Sequence, residues 1–428
     1  MKGKILYIHQ YFKTPSEGGA IRSYYLAKGF VDDGYVVELI TAHDKATYDT
    51  KFVDGIKIHY LPVAYDNSFG FLRRIFAFLR FAHQTYQLAK GIPDIRKCYI
   101  TSTPLTVGLI ALALKKWHRI PYIFEVRDLW PEAPIQMGVI NNYFSQLLLK
   151  KLEKKIYREA DKVVALSPGI AAHIDKLVPL KKSIMIPNMS DCSLFLPSTK
   201  QPANEVKFQV EGKFVIGYLG AIGKVNHLEF FIEAAEACAA AALDVAFLIV
   251  GKGAALSTIQ KLVQAKKLKN VSFLSFRNKH ALKEVLNITD AVYISFADKS
   301  VLETNSPNKF FDGLAAGKLI ITNTEGWIRN LCEDNICGIY TDPQQSKRFP
   351  QHLLPFLQDK KLLEKYQQNA RRLAETTFNK DILIGKLLGE LDDQEKFSPD
   401  HHKILRSHHK LPTKVKTARA KLKKKLHP

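Results

Sequence analysis

Two successive series of short apolar runs, each broken by turn residues and followed by an amphipathic helical stretch, constrain this chain more than any other feature. Residues 5–9 read as a strand, 20–34 as a helix, and 36–41 and 56–61 as further strands. Short apolar strands recur at 99–101, 122–125, 162–165 and 184–188. A second set opens at 214–219 and continues through a helix at 228–242 and a strand at 245–250. It runs on through a helix at 255–267, a strand at 271–274, a helix at 281–287, and strands at 291–295 and 319–322. Strand and helix alternating in this way is the rhythm of parallel sheets covered by helices. The expected fold class is α/β, with two Rossmann-like doubly wound domains facing a cleft and ligands held at the carboxyl ends of the strands.

Length agrees with that division, because 428 residues exceed what one hydrophobic core supports. The expected boundaries are a first domain at 1–190, a linker rich in Pro, Ser, Lys and Gln at 191–211, and a second domain at 212–375. A C-terminal helix at 376–395 and a basic tail without fixed structure at 396–428 complete the chain. The opening MKGKILYIHQ reads as a first strand and not as a signal peptide. No apolar run reaches the roughly 18–20 residues of a membrane span. The five cysteines are scattered without a CxxC pair, which argues against a disulfide framework or a zinc site and for a reducing, cytoplasmic location.

The formal net charge of +22 calls for an anionic partner. From His401 to Pro428 there are ten Lys or Arg and no acid, so about +12 remains on the body of the protein. The tail reads either as a solubilising extension or as a contact with an anionic membrane, where each basic residue contributes up to about 1 kcal/mol. A basic tail alone does not make a nucleic-acid-binding protein, and nucleic acid is not an expected partner.

The segment ETNSPNKFFDGLAAG, residues 303–317, carries the clearest ligand chemistry. Ser306 suits an N-cap and Pro307 the first helical position. Asn308 and Lys309 then fall in the first turn, where free N–H groups and the helix dipole attract phosphate. Asp312 lies three residues beyond Lys309 on the same face, placed to accept the hydroxyl protons of a ribose. The pattern describes a nucleotide-sugar site.

Other strand ends add to it. Gly18 and Gly19 precede a helix carrying Arg22 in HQYFKTPSEGGAIRSYYLAKGF, and either admit a phosphate or shape a turn. No GxGxxG follows, so a dinucleotide cofactor is not supported. In EVRDLWPE, Glu125, Arg127 and Asp128 read either as cleft-facing site residues or as a structural salt bridge. In YLGAIGKVNHLE, Gly220 and Gly223 follow a strand and Lys224 is placed to neutralise a leaving diphosphate. Residues 69–88, FGFLRRIFAFLRFAHQTYQL, set Leu72, Ile75, Phe76 and Leu79 on one side, adjoined by Phe71, Phe78 and Phe81 and flanked by Arg73 and Arg80. This is either a core helix or one lying in a bilayer interface, with Arg22, Arg73, Arg74, Phe71 and Phe78 as acceptor or membrane contacts.

Taken together, these loops, with ALSPGI, IPNMSD and LIVGKG, resemble the family 4 glycosyltransferases, retaining enzymes of the GT-B fold that use nucleotide-activated sugars. The resemblance extends to about residue 391 and is strongest to bacterial enzymes of O-antigen, capsule and exopolysaccharide assembly, including the fucosamine transferase group. It implies that the first domain binds acceptor and the second binds donor. The family's two-acid motif places its second acid at Asp312; its first falls on Thr304, with Glu303 one residue away. Where relatives carry an Arg and a Lys for the diphosphate, this chain has Ala221 and Asn226, and Lys224 and Lys309 stand as substitutes.

The resemblance implies transfer from a nucleoside diphosphate sugar, UDP-linked, to a polyprenyl-linked or oligosaccharide acceptor. Gly18, Gly19, Gly220, Gly223, Ser306, Asn308, Lys309 and Asp312 would bind donor, with Glu303, Lys224, Asp128 and Arg127 as catalytic groups. No DxD occurs in the sequence, so a metal-independent reaction with no cofactor is expected. The expected place is the inner face of the cytoplasmic membrane. A GT-B epimerase or phosphorylase, or a nonenzymatic basic binder of membrane or nucleic acid, is the alternative.

Overall fold

The computed structural model describes residues 2–19, 21–66, 69–275 and 278–392, with backbone only for Phe71 and Asp392. The basic tail expected at 396–428 lies outside the described residues. Met1–Lys386 forms one compact unit containing both sheets, and Leu387–Pro428 a second.

The first sheet contains β1 (Lys4–Ile8), β2 (Val36–His43), β3 (Asp49–Val53), β4 (Ile56–Pro62), β5 (Ile95–Thr101), β6 (Tyr122–Val126), β7 (Lys162–Ala165) and β8 (Ile184–Met185). Their order is β3-β4-β2-β1-β5-β6-β7-β8, parallel throughout except where β3 runs antiparallel to β4. Strand β3 is absent from the sequence expectation. It forms because Asp54 and Gly55 both take positive φ, 49° and 83°, which gives the two-residue turn that closes a hairpin.

The second sheet contains β9 (Phe214–Leu219), β10 (Val245–Val250), β11 (Val271–Leu274), β12 (Ala291–Ile294), β13 (Leu319–Thr322) and β14 (Gly338–Tyr340). Its order, β11-β10-β9-β12-β13-β14, is fully parallel and reverses between β9 and β12. In the first sheet the reversal lies between β1 and β5. At such a reversal the loops on either side depart in opposite directions and leave a crevice at the strand ends. The strands there are apolar throughout, as burial on both faces requires: every residue of VAFLIV in β10 is buried.

The strand expected at 184–188 shrinks to Ile184–Met185: Ile186 N–H still donates to the Ala165 carbonyl, but the Ile186 and Pro187 carbonyls turn to Arg22 and the Asn188 N–H to Ser306. The linker expected to be irregular contains a helix, Pro202–Phe208, with proline in its first turn. Its approach is fixed by Asn287, whose Oδ1 accepts from the Gln201 N–H at 2.9 Å. One buried apolar cluster runs from Leu6 and Ile100 in the first sheet, through Cys192 and Phe195, to Val292 and Ile320 in the second. A separate cluster around Phe231 and Phe247 fills the opposite face of the second sheet.

Candidate active site

The loops that leave β9 and β10 are built by close backbone approach. A Cβ on Gly251 would sit 1.8 Å from the Gly220 carbonyl oxygen, so only glycine lets the two strand ends touch. The amides of this turn are largely committed. Gly220 N–H donates to Val250 O at 2.8 Å, Ile222 N–H to Lys252 O at 3.0 Å, and Gly223 N–H to Asn226 Oδ1 at 3.3 Å. Gly220 and Gly223 therefore shape the loop with their own amides already committed. Ala221 retains its N–H without an internal acceptor among the described residues, and Lys224 is exposed beside it.

Facing that turn is the helix Asn308–Ala315. Ser306 is not its N-cap: Pro307 holds that position, and no side chain caps the helix. The Ser306 hydroxyl instead accepts from the Asn188 N–H at 3.2 Å, and Asn188 Nδ2 donates to the Ser306 carbonyl. With Ser167 Oγ donating to the Thr304 carbonyl, the helix tip is fixed against loops of the first sheet. The start of the helix thus stands at the junction of the two sheets.

Lys309 is the most unusual residue there. It is 7% exposed, yet Nζ has no hydrogen-bond partner and lies 3.6 Å from the centroid of the Tyr218 ring. A Cβ built on Gly220 would stand 3.6 Å from that nitrogen, which places the amine directly under the strand-end turn. Burial pushes its pKa well below the ordinary lysine value. Asp312 is also buried, and it already has a partner. Its Oδ1 accepts from Lys279 Nζ, a partner that sequence spacing gave no means of finding. Burial raises the Asp312 carboxyl and Lys279 opposes the rise.

Glu303 lies in the turn Ser300–Thr304, half-buried and without a hydrogen bond among the described residues. Burial, then Glu325 and Asp298, raise its pKa. Among the described residues no three His, Cys, Asp or Glu side chains gather into a metal-binding group.

Across the junction, Gly18 and Gly19 take φ of 74° and 89°, a turn that side chains resist. Arg22 cannot touch acceptor or membrane, contrary to expectation. It is fully buried, donating through Nε and Nη2 to Glu125 Oε2 at 3.0 and 2.8 Å and through Nη2 to the Ile186 carbonyl at 2.9 Å. Nη1 donates to the Pro187 carbonyl. Glu125 also accepts from Tyr99 Oη at 2.7 Å and Thr101 Oγ1 at 2.8 Å. Burial alone would raise this carboxyl, but the Arg22 charge and these hydrogen bonds outweigh it and hold the group down to about 2. For Glu125 the salt-bridge reading is the right one.

Arg127 and Asp128, just beyond β6, are half-buried. Arg127 Nη1 lies 3.3 Å from His9 Nε2, a neighbour the sequence reading passed over although HQY directly follows a strand end. Burial raises the Asp128 carboxyl, opposed by Arg127.

On the helix Phe71–Ala89, Phe78 is not a membrane contact. It is buried and stacks on Tyr65 with centroids 5.3 Å apart. The core reading holds for one face, where Ala77, Phe81 and Ala82 are buried; on the other, Leu72, Ile75, Phe76 and Leu79 are exposed, Phe76 by 67%. Arg73 is exposed over the Phe69 ring, and Arg74 is half-buried with an enclosed, unpaired Nε. The Phe71 side chain lies outside the described residues.

Residues 17–189 match the family described as a glycosyl transferase 4-like domain, and residues 200–373 match the glycosyl transferases group 1. The chain belongs to the family 4 glycosyltransferases, with the GT-B fold. A relative from Escherichia coli K12, WcaI, described as a colanic acid biosynthesis glycosyl transferase, is 25% identical over 224 residues, 51% of this chain and 53% of that protein. The chain thus spans about half the length of that curated relative. Among solved structures, sucrose-phosphate synthase from Thermosynechococcus elongatus superposes with a TM-score of 0.71 at 16% identity, covering 92% of this chain and 99% of that one. Anabaena HepE in complex with UDP-glucose gives 0.67 at 16% identity, covering 91% and 100%.

Proposed function

We propose that this glycosyltransferase moves a sugar from a nucleoside diphosphate sugar, UDP-linked, to a lipid-linked or oligosaccharide acceptor with retention of configuration, in the assembly of a cell-surface polysaccharide. The observation that carries this reading is Lys309: a buried amine without a partner, beneath a glycine turn and at a helix tip, lacks only an anion. A pyrophosphate seated there would meet the Lys309 ammonium, the Ala221 N–H and Lys224. These fixed donors would stabilise the charge that grows on the leaving diphosphate, the part a metal plays in other transferases. Asp312, held by Lys279, would direct its second oxygen to the ribose. Glu303, Arg127 and Asp128 would act at the reacting sugar, and same-face attack guided by the leaving phosphate would give retention. The UDP-glucose complex of HepE supports the choice of nucleotide, and the likeness to WcaI, described as a colanic acid biosynthesis glycosyl transferase, supports the choice of pathway.

A nucleotide panel tests the reading. UDP is expected to raise the melting temperature more than GDP, dTDP or CMP, and Asp312→Ala to lose most of that rise. Because this variant also strands Lys279, the double variant Asp312→Ala with Lys279→Met should regain baseline stability without regaining the UDP response. If the donor sugar is epimerised on incubation alone, or is released as sugar phosphate when inorganic phosphate is added, the epimerase or phosphorylase reading replaces this one.

The exposed face of Leu72, Ile75, Phe76 and Leu79 supports attachment at the inner face of the cytoplasmic membrane. On the helix Tyr143–Glu159, Phe144 and Leu148 are also exposed, with Lys151, Lys154 and Lys155 on the same helix. Among the described residues no helix is long and apolar enough to cross a membrane. Apolar burial joined to anionic attraction would hold the protein at the interface. Flotation with phosphatidylglycerol vesicles should carry the protein upward, and Leu72→Glu with Phe76→Glu should leave most of it at the bottom of the gradient.

A further inference from the structure

Hydrogen-bond donors without partners collect at the carboxyl end of the first sheet. His9 is 3% exposed, and its Nε2 faces the Arg127 guanidinium. A guanidinium only donates, so Nε2 accepts and the ring proton sits on Nδ1, which is enclosed and unpaired. Burial, reinforced by the Arg127 charge, keeps the ring neutral. Gln10, 1% exposed, has neither amide atom bonded, and Arg74 Nε is likewise enclosed without an acceptor. Each buried polar group left so costs about 1–3 kcal/mol, and a set of them at one strand end marks a place where something binds.

Aromatic contacts tie these groups together. Tyr11 lies edge-on to His9 at 6.4 Å and 5.0 Å from Tyr65. Tyr65 stacks on Phe78, and Arg74 is one helical turn before Phe78 on the same face. The wall therefore runs from Arg127 to Arg74. Neither arginine forms an ion pair among the described residues. Nearby acids do not fill that role: Glu125 is bound to Arg22, Glu17 to the Thr14 N–H and hydroxyl, and burial raises the Asp128 carboxyl. Water would satisfy the amide and the imidazole but would not neutralise two guanidinium groups.

We propose that His9, Gln10, Arg74 and Arg127, walled by Tyr11 and Tyr65, bind the phosphate or diphosphate ester of the acceptor. The inference rests on the glycosyltransferase reading and deepens it. The site belongs to the first sheet, whereas Lys309 belongs to the second, so two anions are bound at once on opposite sides. The exposed face that begins at Leu72 lies on the helix that supplies Arg74.

The test uses the full chain saturated with UDP, so that the donor site is closed to the probe. Geranyl diphosphate, geraniol and inorganic pyrophosphate are titrated by calorimetry. Geranyl diphosphate should bind at least about tenfold more tightly than either of the others, and Arg74→Ala and Arg127→Gln should each weaken it about tenfold. Arg74→Lys should retain most of the affinity, and UDP affinity should stay within about twofold in both Arg74 variants, which also reports that they fold. No saturable binding of geranyl diphosphate, or equal binding by wild type and both charge-removing variants, would overturn the site. Geraniol or pyrophosphate binding as tightly as the ester would overturn its assignment to a phosphorylated lipid. Failure of UDP to bind the wild type would instead strike the donor reading.

Discussion

Replacing Lys309 by methionine is expected to make the free protein more stable and the enzyme nearly inactive. Methionine fills the same space against Tyr218 without bringing a charge into a pocket that offers no acceptor, so free stability should rise by ~1–3 kcal/mol. Transfer should fall by ~100- to 1000-fold, the scale of losing one preorganised donor to developing negative charge. The sign of the pH effect follows from the lowered pKa. Between that value and the ordinary 10.5, the unfolded chain holds a proton that native Lys309 has released, so this residue's contribution to stability rises with pH across the window. A bound diphosphate restores the charged form, and UDP binding should take up a proton. Calorimetry in two buffers of different ionisation enthalpy should give different heats for the wild type and equal heats for Lys309→Met. Equal heats for the wild type would show that Lys309 is not the group meeting the anion.

The second large effect lies in the Arg22 and Glu125 pair, which is the most buried ion pair described. Arg22→Met alone should cost ~3–5 kcal/mol, because it leaves a carboxylate in the core and two carbonyls at Ile186 and Pro187 without donors. The double variant Arg22→Met with Glu125→Leu should recover much of that loss in a denaturant titration. The folded Glu125 pKa is depressed to about 2, so its stabilisation is present above the ordinary value of 4.5 and is lost as pH falls towards 2. The acid limb of the stability curve should therefore be shallower in the double variant. A double variant no more stable than Arg22→Met would mean that the carbonyl contacts, and not the stranded charge, set the cost.

Why the architecture could be read so fully from the sequence is a matter of period. Strands such as VAFLIV are buried on both faces, so their pattern survives any detail of packing. The helix Asn308–Ala315 was legible for a similar reason, since Lys309 and Asp312 share a face by geometry alone. The partners were not legible. Lys279 reaches Asp312 across 33 residues, Arg22 reaches Glu125 across 103, and Asn188 reaches Ser306 across 118. No local spacing encodes such pairs. The Ser306 assignment failed on this ground: a hydroxyl that propensity assigns to a cap was drawn away by a stronger tertiary contact. His9 and Gln10 were passed over because their chemistry lies in what they lack, which only packed neighbours reveal.

The unbroken apolar cluster from Leu6 to Ile320 has a consequence for how such enzymes diversify. Recombination that joins one ancestor's first sheet to another's second cuts through a shared interior at Cys192 and Phe195. New pairings of donor and acceptor must then arise with matched seam residues, so specificity in this lineage is expected to drift more readily through strand-end loops than through exchange of whole lobes.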